Sequence, residues 1–227
     1  MSQKNLSKFN PDCRDCPRLA SFLDQVALKH PDYHARPVAP FGDDNARLLI
    51  VGLAPGMHGA NASGRPFTGD HAGILLYKTK FEYGFSNQPE SVSRDDELEL
   101  FDCRITNAVK CLPPQNKPQL DEVKQCNHYL RAEIDALPAP AVIIALGKLA
   151  HDAVLRLLGL RLSAHPFEHA GMHFVTDDLC LIDSYHCSRY NTQTRRLTPA
   201  MFGEVFRLAR EALAGEDCRS GAHGSRK

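Results

Sequence analysis

Four of the eight cysteines have a spacing suited to binding a metal. Cys13 and Cys16 form a C-x-x-C pair whose two thiolates can chelate one centre. Cys111 lies in a predicted loop, and Cys126 lies in the helix predicted to follow it. Four thiolates suit either tetrahedral zinc or a [4Fe–4S] cluster, and spacing alone does not separate the two. The alternative is that these are four unrelated core cysteines.

The stretch GLAPGMHGANASGRPFTGDHAG, residues 52–73, is unusually poor in side chains. It contains six glycines and two prolines but only two charged residues, Arg65 and Asp70. Such a composition favours a backbone that something else approaches closely. The segment GRPFTGD lacks the lysine of a P-loop, and GLAPGMHG lacks the glycine spacing of a dinucleotide fingerprint. We therefore predict no nucleotide cofactor.

Predicted strands and helices alternate along the chain. Apolar runs predict buried strands within 46–56, 101–109 and 141–147, and two short extended pieces within 173–186. Helical spacing and end signals predict helices at 19–29, 69–85, 120–137, 148–160 and 198–215, the last with Thr198 as N-cap and Pro199 in the first position. This alternation predicts an α/β fold with a mostly parallel sheet covered on both faces.

The chain length fits one domain, which we place at residues 1–215. Its N-terminal segment, 1–40, is irregular and carries Cys13 and Cys16. Residues 86–100 are polar and acidic and are predicted to form a surface excursion. The tail at 216–227 lacks large apolar residues and is predicted to be disordered.

Three polar residues lie on or near loops that should meet at one edge of the sheet. In a parallel sheet the ligand binds at the carboxyl ends of the strands. The loops GLAPG, TNAVKCLPP and DSYHCSRYN follow predicted strands, and Asp70, Asn107 and His186 lie in or close to them. Each residue has an ordinary explanation: a helix-terminus carboxylate, a strand-end amide, or one of eleven histidines. Their coincidence favours a functional site.

The charge balance argues against a polybasic nucleic-acid-binding tail. The formal net charge is zero, so a nucleic-acid partner would need a local basic face. The run SRYNTQTRR, residues 188–196, is the best candidate, and it could equally be a solvated loop. No apolar run has the length of a membrane span, and the N-terminus lacks the apolar region of a secretory signal. We therefore expect a cytoplasmic protein.

Three segments together resemble the uracil-DNA glycosylase superfamily. They are GLAPGMHGANASGRPFTGD, TNAVKCLPPQNKP with Cys126 after it, and SYHCSRYNTQTRRLTP. They look most like the family-five (UDGb-type) members, which carry an iron–sulfur cluster. The resemblance runs in motif order from Cys13 to about Pro199, and GRPFTGD and NTQT-RLT are its most specific parts.

The resemblance implies a three-layer α/β/α sandwich with a central four-stranded parallel sheet. It implies a structural [4Fe–4S] cluster, rather than zinc, held by Cys13, Cys16, Cys111 and Cys126. The implied substrate is DNA containing uracil or another deaminated base such as hypoxanthine or xanthine. The enzyme would flip the base out and hydrolyse its N-glycosidic bond, leaving an abasic site. We expect a monomer associated with the nucleoid through its DNA.

The same resemblance implies roles for individual residues. Phe67 would stack on the flipped base, Asn107 would bind its edge, and His186 would donate a hydrogen bond to its O2 carbonyl. Asp70 is assigned to the cationic sugar or the water, since no other carboxylate lies in the glycine stretch. The predicted catalytic residues are Asp70, Asn107 and His186; the predicted substrate-binding residues are Gly52, Ala54, Pro55, Gly56, Phe67, Asn107, Ser188 and Arg189.

Two departures from the family pattern leave alternatives open. Ala54 stands where better-known members have a water-activating Asp or Asn, which favours a rival hypothesis, a non-catalytic lesion-binding protein. Cys187 stands where the superfamily usually has proline, so we expect a more flexible loop and a less preorganised His186. Asp70 could also be a structural helix cap. A further rival is a hydrolase or nucleotide-binding enzyme with a zinc site.

Overall fold

The computed structural model describes residues 9–215, so the tail predicted at 216–227 lies outside the described residues. The strands are β1 Phe41–Gly42, β2 Leu48–Gly52, β3 Cys103–Asn107, β4 Ala141–Leu146, β5 Met172–Phe174 and β6 Leu179–Ser184. The helices are α1 Pro17–Lys29, α2 Ala60–Ser63, α3 His71–Glu82, α4 Leu120–Ala136, α5 Lys148–Leu157, α6 Arg189–Gln193 and α7 Pro199–Ala214. The five predicted helices are confirmed, as are the main strands.

All six strands belong to one sheet with the order β1-β3-β2-β4-β6-β5. Its four central strands, β3, β2, β4 and β6, are parallel, which confirms the predicted parallel centre. β1 and β5 add a short antiparallel strand at each edge, so the sheet is wider than the four strands predicted. A pairing of two or three residues is too short to leave a period-2 pattern in the sequence.

Helices cover both faces of the sheet, which gives the predicted three layers. On one face, Ile50 and Ile144 pack in a core with Leu76 of α3 and Phe206 of α7. The other face packs against residues of α4 and α5. Since every residue of β2 and β4 is buried, polar groups are displaced to the strand ends. No helix within residues 9–215 combines the length and apolar character that crossing a bilayer requires.

The carboxyl ends of the four parallel strands lie along one edge of the sheet. Gly52, at the end of β2, is in register with Asn107 at the end of β3. Leu146 and Ser184 are likewise opposite each other at the ends of β4 and β6. The loops that leave these positions are therefore neighbours, as predicted.

An ion pair fixes the N-terminal segment against the sheet layers. The Arg18 guanidinium of α1 donates to the Glu122 carboxylate of α4, with Nη2 and Oε2 2.6 Å apart. Glu122 also closes a capping box with Gln119 at the start of α4. This contact brings the segment carrying Cys13 and Cys16 onto the helix that carries Cys126.

Lys80 of α3 lies in the core, and no carboxylate within residues 9–215 pairs with it. Its side chain is 0% exposed, its Nζ has no hydrogen-bond partner in that part of the chain, and it lies 3.9 Å from the centroid of the Tyr77 ring. Burial lowers the pKa of Lys80 to about 7. Between that pH and the ordinary lysine value of about 10.4, the unfolded chain holds a proton that the folded chain has released. Stability therefore rises with pH across this window.

Replacing Lys80 by methionine should remove this dependence. We expect Lys80→Met to raise the free energy of unfolding by roughly 1–3 kcal/mol near pH 6, and by less as the pH approaches 10. Lys78→Met is the matched control, because Lys78 is exposed on the same helix. Denaturant unfolding at several pH values measures both variants; parallel curves for wild type and Lys80→Met would contradict the prediction.

Candidate functional site

An open cavity of about 550 Å³ lies at the carboxyl edge of the sheet. Seven of the predicted site residues line it: Ala54, Gly56, Phe67, Asp70, His186, Ser188 and Arg189. Three others do not line the cavity wall. Pro55 is buried in the loop, and Gly52 and Asn107 face each other behind Phe67. The glycine stretch and the loop after β6 thus form opposite sides of one site.

Phe67 forms the floor of the cavity in a strained backbone conformation. Its φ angle is 58°, a left-handed value that costs an aromatic residue about 1–3 kcal/mol. The ring is only 6% exposed. A Cβ on Gly73 would lie 2.0 Å from the Phe67 carbonyl oxygen, so this turn requires glycine at 73. The buried Tyr77 hydroxyl donates to the neighbouring Pro66 carbonyl at 2.7 Å.

Arg65 anchors the same turn to the polar excursion at 86–100. Its guanidinium forms a buried ion pair with Asp96 and donates to the Arg94 carbonyl and the Ser91 hydroxyl. It also lies over the Phe41 ring, 4.3 Å from the centroid. The excursion predicted from its polarity is therefore a brace for the wall of the cavity, and we refer to residues 86–100 as the brace.

Asp70 occupies the N-cap position of α3 but does not cap the helix with its side chain. Its carboxylate lies instead against Gly56 and Gly59, where a Cβ at residue 59 would fall 1.9 Å from the Asp70 Cγ. A long contact of 3.4 Å from the Ala60 N–H is its one hydrogen bond among the described residues. Burial raises the pKa of Asp70, opposed by that N–H and by the charge of His58. The Asp70 side chain therefore does not cap α3, and its one hydrogen bond in that part of the chain is with the first N–H of α2; its catalytic or structural role stays a prediction.

Asn107 is an unpaired amide at the end of β3. The residue is only 3% exposed, and in the described part of the chain its side chain has no hydrogen-bonding partner. A Cβ on Gly52 would lie 2.4 Å from Asn107 Oδ1 and 2.8 Å from Phe67 Cζ. A buried amide without partners is costly unless a ligand or water satisfies it.

His186 faces Phe67 across the cavity, with ring centroids 6.1 Å apart. Burial lowers the pKa of His186, so its imidazole is neutral at pH 7. The Asn191 side-chain amide donates to the His186 carbonyl at 2.8 Å, and the Ser188 hydroxyl caps α6. Cys187 is fully buried in the main core. This packing opposes the looser loop expected from cysteine at 187, which stays a prediction.

Several cavity residues were not predicted. They are Asn116, Lys148, Phe167 and Tyr185. Asn191 and Arg196, which also line the cavity, belong to the run 188–196 named as a candidate basic face. The Arg196 guanidinium lies over the Tyr185 ring at 4.7 Å, and Tyr185 stacks on His169. Tyr185 adjoins His186 in the sequence, which is the one signal that could have identified it. With Lys148, Arg189 and Arg196 at its rim and Asp70 inside, the cavity suits an anionic ligand.

The four predicted metal-binding cysteines come together on the other side of the Gly-rich loop. Cys13, Cys16, Cys111 and Cys126 line one small cavity between α1 and α4. Burial, with a smaller contribution from the neighbouring thiols, raises the pKa of Cys16 to about 11 and that of Cys111 to about 12. The Lys110 backbone N–H donates to Cys126 Sγ at 3.3 Å. Cys103 and Cys180, which lie in strands β3 and β6, are buried in the sheet core.

The chain is similar to known proteins over most of its length. The sequence model of the uracil DNA glycosylase superfamily matches residues 39–210. A type-5 uracil-DNA glycosylase of Thermus thermophilus is 47% identical, covering 89% of this chain and 94% of the relative. One of Pyrobaculum aerophilum is 45% identical, covering 87% and 88%. A type-4 uracil-DNA glycosylase of Saccharolobus solfataricus is 28% identical, covering 77% and 75%.

Burial shifts the pKa values of His186 and Asp70, two ionisable groups of the cavity, in opposite directions, and NMR titration can measure both values. We expect His186 to titrate below the ordinary histidine value of about 6.5 and Asp70 above the ordinary aspartate value of about 3.9. His186→Gln and Asp70→Asn identify the two resonances by removing them. A His186 pKa at or above the ordinary value would contradict the burial seen here.

Proposed function

Since the chain belongs to the uracil-DNA glycosylase superfamily, we propose that it removes uracil from DNA in base-excision repair by hydrolysing the bond between base and sugar. One observation carries the assignment to this cavity. Phe67 and Asp70 of the glycine-rich stretch and His186 of the loop after β6, all within the matched region, line a single cavity at the carboxyl edge of the sheet.

Base recognition falls to Phe67 and Asn107. A base within a duplex is out of reach, so the enzyme flips it into the cavity at a cost of a few kcal/mol. Stacking on the Phe67 ring contributes about 1–3 kcal/mol. The unpaired Asn107 amide has a donor and an acceptor to offer the edge of uracil. Gly52, Ala54, Pro55 and Gly56 allow the backbone to approach the base closely.

His186 stabilises the departing base. Cleavage leaves negative charge on uracil, and the neutral His186 imidazole donates a hydrogen bond to the O2 carbonyl, where that charge develops. A neutral donor is supported by the burial that lowers the pKa of His186. Its position depends on Asn191, which holds the His186 carbonyl.

Asp70 serves the sugar side of the reaction. The sugar becomes cationic as the bond breaks, and a carboxylate stabilises it or positions the attacking water. Leu53 and Ala54 line the cavity but carry no polar group for this role. Asp70 is supported because its carboxylate makes one long hydrogen bond and is left available to a substrate.

DNA binding is assigned to the rim around α6. Ser188 and Arg189 line the cavity, Tyr190 beside them is 69% exposed, and Arg196 adds a second cation. These groups suit phosphate contacts and a wedge in the duplex. In this proposal the enzyme acts as a monomer on DNA in the cytoplasm.

The base range extends to hypoxanthine and xanthine in this proposal. The cavity volume of about 550 Å³ exceeds what a pyrimidine needs, and an Asn107 amide can adapt to other edges by rotating. A panel of oligonucleotides carrying uracil, hypoxanthine or xanthine, in single and double strands, tests this extension.

The four cysteines fit a [4Fe–4S] cluster. Among the described residues, the side chains whose donor atoms are close enough to share one ion are His151, His173 and Asp183, and not these four thiols. A single zinc needs all four sulfurs about 2.3 Å from one point. Sulfurs that lie farther apart favour a [4Fe–4S] cluster, whose role here is structural. Held by Cys13, Cys16, Cys111 and Cys126, it would join the N-terminal segment to α4.

Asp70→Asn should abolish most of the activity without removing DNA binding. We expect uracil excision, followed by alkaline cleavage of the oligonucleotide, to fall about 100-fold or more in kcat. Asp44→Asn is the control, since its carboxylate is exposed at the amino end of β2. Gly59→Ala should cause a similar loss with the charge intact, because the new Cβ displaces the Asp70 carboxylate. Gly159→Ala, where a Cβ meets nothing but the φ of 74° disfavours alanine, should lower stability slightly and leave excision unchanged.

Near wild-type turnover of Asp70→Asn would overturn the role of Asp70. Wild-type protein that binds uracil-containing DNA but never cleaves it would instead support the lesion-binding rival.

Protein purified without oxygen should be brown, absorb broadly near about 400 nm and contain about four iron atoms. Cys126→Ala should lose the iron and the colour, whereas Cys103→Ala, which removes a buried core thiol, should keep them. Colourless wild-type protein with stoichiometric zinc would contradict the cluster.

A further inference from the structure

A second group of metal-binding residues lies beneath the loop that carries His186. It comprises His151 of α5, His173 of β5 and Asp183 of β6, whose donor atoms all lie within 4.8 Å of one another. His151 is 1% exposed, Asp183 is 0% exposed, and the His173 ring reaches the surface. The cluster plays no part in the proposed reaction, and its cysteine-free donor set separates it from the Cys13 site.

The hydrogen bonds of His151 leave one proton between two donor atoms of the cluster. His151 Nδ1 lies 2.7 Å from Asp183 Oδ1, and His151 Nε2 lies 3.0 Å from the His165 carbonyl oxygen. Because a carbonyl oxygen only accepts, Nε2 is the donor there, and the short contact between Nδ1 and Oδ1 holds a second proton, counted here on Nδ1. A metal ion can take the place of that second proton.

A bound metal would satisfy this arrangement directly. Metal-binding histidines commonly donate their second N–H to a carbonyl, which fixes the ring and directs the other nitrogen at the ion. The His165 carbonyl does this for His151. His173 Nε2 lies 2.9 Å from Asp183 Oδ2, on the far side of the same carboxylate. Two imidazoles and one carboxylate thus converge from three elements.

We propose that His151, His173 and Asp183 bind one divalent ion of the zinc class. Two nitrogens and an oxygen are the borderline donors that zinc accepts, and three protein ligands leave a fourth position for water at the exposed edge of His173. On binding, the His151 Nδ1 proton is released to solvent, and His173 moves its proton from Nε2 to Nδ1. The net charge of the cluster rises by one, because a dication replaces a single proton.

Tetrahedral coordination requires only a small adjustment. Ligand atoms about 2.0–2.1 Å from zinc lie about 3.3 Å apart, so the present separations of 2.7 and 2.9 Å must open by roughly half an ångström. The two imidazole nitrogens, which lie within 4.8 Å of each other, must come to the same separation. Small side-chain rotations supply this. The ion would join β5, β6 and α5 three residues before His186, which makes its role structural.

Zinc binding and thermal unfolding of the protein as purified test the proposal. We expect wild type, dialysed against zinc chloride and then against buffer, to retain about one more zinc per chain than His173→Gln. At about 100 times Kd, zinc should raise the Tm of wild type by roughly 5–10 °C relative to EDTA. His173→Gln should fold, because a glutamine amide can still donate to Asp183, and it should lose this shift.

The comparison separates this site from the cysteines, which both proteins retain. His30→Gln is the matched control, since it removes a histidine outside the cluster, and it should behave like wild type. Equal zinc content and equal Tm shifts in wild type and His173→Gln would overturn the proposal. A wild-type Tm that zinc does not change would also overturn the proposal, because the cluster would then be a hydrogen-bond network that binds no metal.

Discussion

The burial of four parallel strands on both faces determines where polar groups can be placed. Helices cover each face of the sheet, so β2 and β4 carry no exposed residue. The positions left for polar chemistry are the last residues of the strands and the loops beyond them. Asn107 ends β3 and Asp183 comes one residue before the end of β6. Both the proposed glycosylase site and the proposed metal site follow from this constraint.

The same exclusion of water adjusts the chemistry of the cavity. Burial disfavours charge, so it lowers the pKa of His186 and raises that of Asp70. His186 is therefore a neutral hydrogen-bond donor on the side of the departing, negatively charged base, and the Asp70 carboxylate lies across the cavity. Lys148, Arg189 and Arg196 then place positive charge at the rim, where a phosphate backbone would lie.

Much of this arrangement could be predicted because it rests on local signals. Thr198 followed by Pro199 marked the start of α7, and the apolar run at 141–147 marked β4. The edge strand β1 could not be predicted, since it has two residues and depends on pairing with β3, whereas β5 overlaps one of the two extended pieces predicted within 173–186. Asp70 sits at an N-cap position, yet only the structure reveals that its carboxylate turns toward Gly59. Contacts between residues that are far apart in the sequence determine these features, and no short stretch of sequence contains that information.

The strained backbone turn at Phe67 depends on the brace, whose residues are distant from it in the sequence. Arg65 is tied to Asp96 and Arg94 by contacts that span about thirty positions of sequence. Leu98 and Leu100 anchor the end of the brace in the main core, whereas residues 87–97 are mostly exposed. Segments with few apolar contacts open locally at a lower free energy than the core. Opening of the brace would release Arg65 and let the Phe67 backbone relax to an ordinary φ while the sheet stayed folded. The temperature at which the site loses its shape is therefore set by the local opening of this peripheral segment. That temperature is a different quantity from the melting temperature of the whole fold.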